Sequence, residues 1–321
     1  MSTSARPDAR VAILLGGGVR EALMAQPVLR ACEGATVFAS PDAVGTLLGL
    51  PSVGRALVFD DSPGELWRLF LRLRSGPIET VVVPFPARFK HLVLAYLSGI
   101  PRRLTIARLN DWAATERVST AGRLHPVEAN WRLAAAASQR PVRAPGDPPR
   151  LQPPDAVRNQ AMARWPAFFG GGRRPLVLIP GGGGWSRARA GSIWPAERFA
   201  VVANQSMAER IILLSGAADA AAVRETRAGI AKPTIAVNLA DMTVEEVAVL
   251  SELSLGVVGH DGDALHVAAA AGALVIAIVR PPDIAPMGDR VVTVDAGDFE
   301  RLPARQVVEA LNKQARVDTY A

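Results

Sequence analysis

The chain of 321 residues contains a single cysteine, Cys32. An internal disulfide framework and a cysteine-based metal cluster are therefore excluded. The expected place for that thiol is buried, inside the helix that follows the first strand. Aromatic residues make up only 5% of the chain, while Ala, Val, Leu and Gly are plentiful. That balance suits helices packed on parallel strands. There is no run of roughly 18 apolar residues of the kind that spans a bilayer. The longest candidate, 264–279, is interrupted by His266 and Gly272 and reads as a buried helix followed by a strand. The opening MSTSARPDAR lacks the apolar centre of a signal peptide, so a cytoplasmic location is expected.

Lysine is nearly missing, with only Lys90, Lys232 and Lys313, and arginine supplies most of the net charge of +6. That charge is uneven: residues 1–150 carry 19 Lys+Arg against 12 Asp+Glu, and residues 151–321 carry 17 against 18. A basic first half suits an anionic acceptor or an anionic membrane surface. A genomic base composition that favours arginine explains the same bias equally well.

Apolar runs alternate with helical patterns along most of the chain. In the first half, strands are expected at 11–15, 35–39, 56–59 and 80–83, with helices at 20–32, 41–48, 63–74 and 87–97. This βα rhythm implies a parallel, doubly wound sheet. Residues 108–124 show weak periodicity and read as a mobile loop, and 125–138 reads as a helix. Six prolines between Pro141 and Pro154 cannot continue a helix or a sheet interior. They divide the chain into a lobe at 1–140, a linker at 141–154 and a second lobe at 155–321. The second βα series places strands at 176–179, 211–214, 235–237, 255–258 and 274–278, with helices between them. Thr243 and Glu246 have the spacing of a capping box.

Three stretches have the composition of ligand sites. Gly16-Gly17-Gly18 separates the first strand from its helix, but Glu21 stands at the sixth position of a G-x-G-x-x-G pattern, so this is not a dinucleotide fingerprint. Gly181 to Gly184 follow another strand and lead to Arg187 and Arg189, a combination of backbone N–H groups and cations suited to a diphosphate. The spacing is not that of a P-loop, and a plain surface loop is the alternative. In the third stretch, Gly259-His260-Asp261-Gly262-Asp263 ends a strand and His266 follows in the next helix. With no further His or Cys nearby, Asp261, Asp263 and His266 are not expected to hold a metal. Asp219, after Gly216, is placed either to cap its own helix or to accept from ribose hydroxyls.

Taken in order, these residues resemble glycosyltransferase family 9, the lipopolysaccharide heptosyltransferases. The resemblance is carried by Pro180-Gly181, Trp194-Pro195 opening a helix, Gly216 to Asp219, Asn238-Leu239, and Asp261 to His266 before an Ala-rich run. More weakly, Glu21 with Pro27-Val28-Leu29-Arg30 and His125-x-x-Glu128 match the first half of the family. The resemblance implies a GT-B architecture of two Rossmann-like lobes facing a cleft. It also implies inverting sugar transfer without an essential metal. The donor would be a nucleotide sugar, ADP-heptose-like by family default and a substrate rather than a cofactor. The acceptor would be an anionic saccharide or glycolipid at the cytoplasmic face of an inner membrane, and no nucleic acid is involved. Glu21 takes the place of the family's aspartate base. Gly181, Gly182, Arg187, Arg189, Asp219, Met242, Asp261, Gly262, Asp263 and His266 fall at donor-binding positions.

Four residues depart from the family pattern where the chemistry is expected, Glu21 among them. Ser192 replaces a lysine, and Gly262-Asp263 replaces Ser/Thr-Gly, which puts a carboxylate near the expected diphosphate. Arg280 is the cation expected to offset Asp263. A GT-B-shaped binding protein without transferase activity is the second expectation.

Overall fold

The structure, a computed structural model, describes residues 10–48, 50, 52–107, 111–120, 122, 124–138, 146–170, 174–185, 193–216, 218–280 and 284–320. It divides into two compact units, residues 1–149 and 150–321.

In the first unit, β1 (Val11–Leu14) leads to α1 (Val19–Met24) and α2 (Gln26–Ala31), and β2 (Thr36–Ala39) to α3 (Pro41–Leu48). Then β3 (Arg55–Val58) precedes α4 (Pro63–Ser75), and β4 (Thr80–Val83) precedes α5 (Phe89–Leu97). The strands β5 (Arg102–Ile106) and β6 (Glu116–Val118) are followed by α6 (Pro126–Ala137). All six strands pair in parallel in the order β3-β2-β1-β4-β5-β6. Side chains alternate across each strand. Thus Ile13, Val37, Val82 and Leu104 pack under α1, α2, α3 and α6, while Ala12, Leu14, Val81 and Val83 pack under α4 and α5.

Two features differ from the sequence expectation. The helix expected at 20–32 breaks at Ala25, because Pro27 has no N–H to donate to Leu23 and instead occupies the first turn of α2. The loop expected at 108–124 contains β6, which extends the sheet beside β5. The Arg102 guanidinium grips both Glu116 carboxylate oxygens at 2.6 and 3.0 Å across that pairing. Asp111, Ala113 and Ala114 are buried against the sheet, whereas Arg108 and Asn110 lie outside the described residues.

The second unit opens with α7 (Asp155–Arg164) and α8 (Pro166–Phe169), ahead of the expected series. The series itself is β7 (Leu176–Ile179), α9 (Ala196–Gln205), β8 (Ile211–Ser215), α10 (Ala220–Ala228), β9 (Thr234–Asn238), α11 (Val244–Glu252), β10 (Gly256–His260), α12 (Asp263–Ala270) and β11 (Val275–Val279). It is completed by β12 (Val291–Asp295) and α13 (Ala304–Tyr320). The strands again pair in parallel, in the order β12-β11-β10-β7-β8-β9. Every residue of β7, β10 and β11 is buried, as parallel strands covered on both faces require, while β9 and β12 have the half-exposed pattern of edges. Within the proline-rich segment, residues 150–151 are fastened to this unit. Leu151 N–H donates to Ala270 O (2.9 Å) and Arg150 pairs with Asp289 (2.7 Å).

Each unit therefore has the strand order 3-2-1-4-5-6 of a doubly wound α/β fold. The order reverses between β1 and β4 in one sheet and between β7 and β10 in the other. Ligands of such sheets bind beyond the carboxyl ends of the strands at the reversal point. The loops after β1, β4, β7 and β10 are where the candidate residues stand.

Candidate functional site

At the reversal point of the first sheet, Gly16 to Gly18 turn the chain from β1 into α1. Glu21, in the first turn of α1, folds back so that its Oε2 accepts from Gly18 N–H (2.9 Å). Its Oε1 accepts from Arg20 Nε (3.2 Å) and Nη2 (2.9 Å). Burial pushes the Glu21 carboxyl up, but the Arg20 charge, its hydrogen bonds and the Gly18 N–H outweigh that, and the group settles below its ordinary value. The expected base is thus an ionised, partner-held carboxylate.

Beside it, Arg88, Lys90 and His91 at the start of α5 converge on Asp61, in the loop after β3. Its Oδ1 accepts from His91 Nε2 (3.0 Å) and pairs with Lys90 Nζ (3.0 Å), while Oδ2 pairs with Arg88. Arg88 Nε also donates to Gly16 O (2.6 Å), which ties this cluster to the glycine turn. His91 is fully buried, and burial holds it below its ordinary value against the opposing pull of Asp61. Asp61 ends below its ordinary value too: burial raises it, but hydrogen bonds from His91 and Lys90 and the adjoining positive charges lower it further.

One positioning residue has no signal in the sequence. Asn130, buried on α6, donates to Met24 O (3.0 Å) and Phe85 O (2.8 Å) and accepts from Phe85 N–H (2.7 Å), which locks the end of α1 to the loop after β4. The His125-x-x-Glu128 pattern is a helix start. His125 Nδ1 accepts from Val127 N–H (3.2 Å) and Glu128 reaches back to His125 N–H (3.4 Å).

At the reversal point of the second sheet, Asp219 plays an unforeseen role. Its side chain makes no capping bond to α10. Instead, Oδ1 accepts from Gly182 N–H (2.9 Å), and Oδ2 accepts from Gly183 N–H (3.0 Å) and Gly216 N–H (2.7 Å). Two of the N–H groups expected to face a diphosphate are therefore held by the protein's own carboxylate. The Ala264 N–H at the start of α12 donates to Gly183 O (2.9 Å). The approach is close throughout: a Cβ at Gly181 would lie 2.1 Å from the Asp219 carboxyl carbon, and one at Gly262 would lie 1.8 Å from Gly182 O. The second contact accounts for a glycine where the resemblance expects Ser or Thr.

His260, at the end of β10, is 1% exposed and bridges this loop to the start of α9. Its Nε2 accepts from Trp194 N–H (2.8 Å), so the proton resides on Nδ1, which donates to Gly181 O (3.2 Å). Phe199 and Phe299 pack edge-on against the ring. In sequence this histidine looked like part of a polar loop, and its partners lie 66 and 79 positions away. His266 Nε2 donates to Asp261 Oδ1 (3.0 Å), and Asp261 Oδ2 accepts from Ile284 N–H (3.0 Å). Asp261 thus links α12 to the segment after β11. Asp263 is part-exposed in the first turn of α12, where its charge complements the helix dipole.

The Met242 side chain is buried, and its carbonyl accepts from Trp185 Nε1 (3.1 Å) at the end of the glycine loop. Arg280 lies over the Phe299 ring at 4.9 Å. Arg187, Arg189 and Ser192 lie outside the described residues. A pocket of about 460 Å³ beside Trp194 and α10 contains none of the expected donor residues. Three of its lining residues are glutamates (Glu197, Glu225 and Glu300), an unsuitable setting for a diphosphate.

Comparison with known proteins decides the family. Residues 80–314 match glycosyltransferase family 9 (heptosyltransferase). The chain belongs to that family. Among solved structures, E. coli ADP-heptose LPS heptosyltransferase II has a TM-score of 0.73 at 20% identity, over 97% of this chain and 99% of that one. The family 9 glycosyl transferase from Veillonella parvula has a TM-score of 0.77 at 14% identity, covering 97% and 98%. E. coli heptosyltransferase WaaC with ADP has a TM-score of 0.71 at 18% identity, covering 95% and 99%. No curated protein matches the sequence. The fold class is thereby the expected one, two Rossmann-like sheets of GT-B type. In this chain Asp261 and His266 are joined by a hydrogen bond, and the glycine loop is a clasp closed by Asp219.

Proposed function

We propose that this protein transfers a sugar, a heptose or related hexose, from a nucleoside-diphosphate donor to an anionic saccharide or glycolipid acceptor. Transfer proceeds with inversion and without an essential metal. The observation that carries the reading is the placement of Glu21. It is a single ionised carboxylate in the first turn after the glycine loop, at the strand-order reversal of the first sheet. There it accepts the proton of an acceptor hydroxyl as that oxygen attacks the anomeric carbon. The Arg20 side chain on it and the Arg88 side chain on the adjoining glycine turn suit an acceptor with a negative group.

The donor is assigned to the second unit, along Gly181, Gly182, Met242, Asp261, Gly262, Asp263 and His266. Asp219 acts there as the anchor of the glycine loop. Arg187 and Arg189 provide the positive charge that the leaving diphosphate requires. Metal independence is supported by Asp261, whose two oxygens already serve His266 and Ile284.

The Glu21→Gln variant tests the assignment. Turnover should fall by at least about a hundredfold, the usual worth of a general base. Thermal stabilisation by ADP-, GDP-, UDP- or dTDP-sugars should persist, since a ligand at 100 times its dissociation constant adds about 2.7 kcal/mol. Unchanged turnover removes Glu21 from the chemistry. The second reading, a sugar-nucleotide-binding protein without turnover, is favoured by the Arg20 clamp, which weakens Glu21 as a base. It predicts the same stabilisation with no product from the wild type.

A further inference from the structure

Exposed apolar side chains are concentrated on one side of the first unit. The described residues include ten large exposed hydrophobic side chains, and Trp67, Leu71, Phe89, Tyr96, Leu97 and Trp112 are six of them. All six lie on α4, on α5 or on the segment just after β5. Both helices cover the same face of the first sheet, through Leu69 and Leu73 on α4 and Leu92 and Ala95 on α5. Their outward sides therefore point the same way.

Those outward sides are ordered. On α4, Trp67 and Leu71 are one turn apart, and Trp67 stacks on Phe70 at 5.1 Å. On α5, Phe89, Tyr96 and Leu97 recur at helical spacing. Trp112 joins them edge-on, 6.0 Å from Phe89 and 5.2 Å from Tyr96. Trp67, Leu97 and Trp112 expose 61%, 58% and 56% of their surface, more than single hydrophobic residues scattered on a surface would explain.

The charges among them are mostly positive. Arg68 and Arg72 flank the α4 stripe, Arg74 lies over Phe70, Arg103 lies over Tyr96, and Lys90 stands at the start of α5. Three carboxylates face this set, Glu65 and Asp60 near Arg68 and Asp61 against Lys90. A positive excess remains.

We infer that the outer face of α4 and α5 docks on an anionic lipid surface. Tryptophan and tyrosine rings settle at the headgroup level, Leu71 and Leu97 enter the acyl boundary, and the arginines meet lipid phosphates. A protein partner would use the apolar stripe as well, but five cations interleaved with aromatic rings match a bilayer interface better than the charge-depleted centre of a protein interface. This inference goes beyond the proposed transfer reaction and does not need it to be correct.

The test is co-sedimentation of the full chain with mixed phosphatidylglycerol–phosphatidylcholine vesicles and with phosphatidylcholine alone. Neither vesicle carries saccharide, so acceptor binding does not contribute. The protein should pellet with the anionic vesicles, much less with the neutral ones, and less as salt rises. Because Arg68 and Arg72 are exposed, Arg68→Gln and Arg72→Gln should leave the fold intact, checked by an unchanged unfolding midpoint. Each should cost about fivefold in partitioning, equivalent to about 1 kcal/mol per basic side chain. Trp67→Ser with Leu71→Ser should reduce partitioning further. Failure to pellet with anionic vesicles overturns the inference, as does equal partitioning by the variants. A dimer in size exclusion that Trp67→Ser disperses also overturns it, because the face then belongs to a second copy.

Discussion

Gly262 stands where the resemblance expects Ser or Thr, and the structure gives a reason for the glycine that can be tested. A Cβ there would lie 1.8 Å from Gly182 O, whereas real Cβ contacts essentially never fall under 3.0 Å. The carbonyl must therefore retreat by more than an ångström. It is poorly placed to do so, because the N–H groups of Gly182 and Gly183 are bound to Asp219 and Gly183 O receives Ala264 N–H. Hydrogen bonds to a charged group contribute about 1.5–3 kcal/mol each, so losing two after partial relaxation costs about 3 kcal/mol or more. For a unit of this size that lowers the unfolding midpoint by about 6–12 °C. Gly262→Ala should show this loss in differential scanning calorimetry, and stabilisation by nucleotide sugars should disappear with it. Gly262→Ser introduces a residue type that the resemblance expects there and should do no better. Gly45→Ala is the control: Gly45 is exposed within α3, nothing lies within 4 Å of its added Cβ, and the change should stabilise by up to about 1 kcal/mol. If Gly262→Ala unfolds at the wild-type temperature, the account of the glycine clasp is wrong.

Two further predictions concern buried charge. Asp219→Asn replaces one acceptor oxygen with an N–H₂ group facing backbone donors, and each buried donor left without a partner costs about 1–3 kcal/mol. Its midpoint should fall by several degrees, and an unchanged midpoint by calorimetry would remove Asp219 from the loop's support. Stability should also decline in two steps as pH falls. His91 has a folded pKa below its ordinary value of 6.5, so the unfolded chain binds the extra proton first, and stability is lost as pH drops below that value. Asp61 and Glu21 are depressed below their ordinary values of 3.8 and 4.5, so their contribution is complete above those values and is lost as pH falls through the lower folded values. Midpoints of His91→Gln measured against pH should lose the first step, weaken the Asp61 part of the second and keep its Glu21 part.

The parts of the fold that were legible in sequence are those where one physical demand dominates. Buried parallel strands are continuous apolar runs, so Thr80–Val83 and Leu176–Ile179 have the expected bounds, and the Thr243–Glu246 capping box forms as its spacing implies. Strand β5 begins with two arginines and β6 is a three-residue edge held through Arg102 and Glu116. Neither has an apolar period to read. The β12 edge is half-exposed and was likewise outside the expected series. At the candidate site the glycines were legible because a turn and a close approach leave no alternative. The partners of Asp219 and His260 were not, since they are separated by dozens of positions and only the closed sheet brings them together.

The Asp219 clasp has a consequence for how a donor is chosen. The glycine loop already contains an anion, and that anion is part of the chain. A tethered group acts at an effective concentration that can reach the millimolar range, and dilution does not remove it. A diphosphate competing for the same amides would have to evict a resident competitor, so ADP and inorganic phosphate should bind this loop weakly, if at all. Selectivity then passes from the backbone amides to the cations that flank the loop and to the sugar, and the glycines shape the donor site without supplying its anion-binding N–H groups.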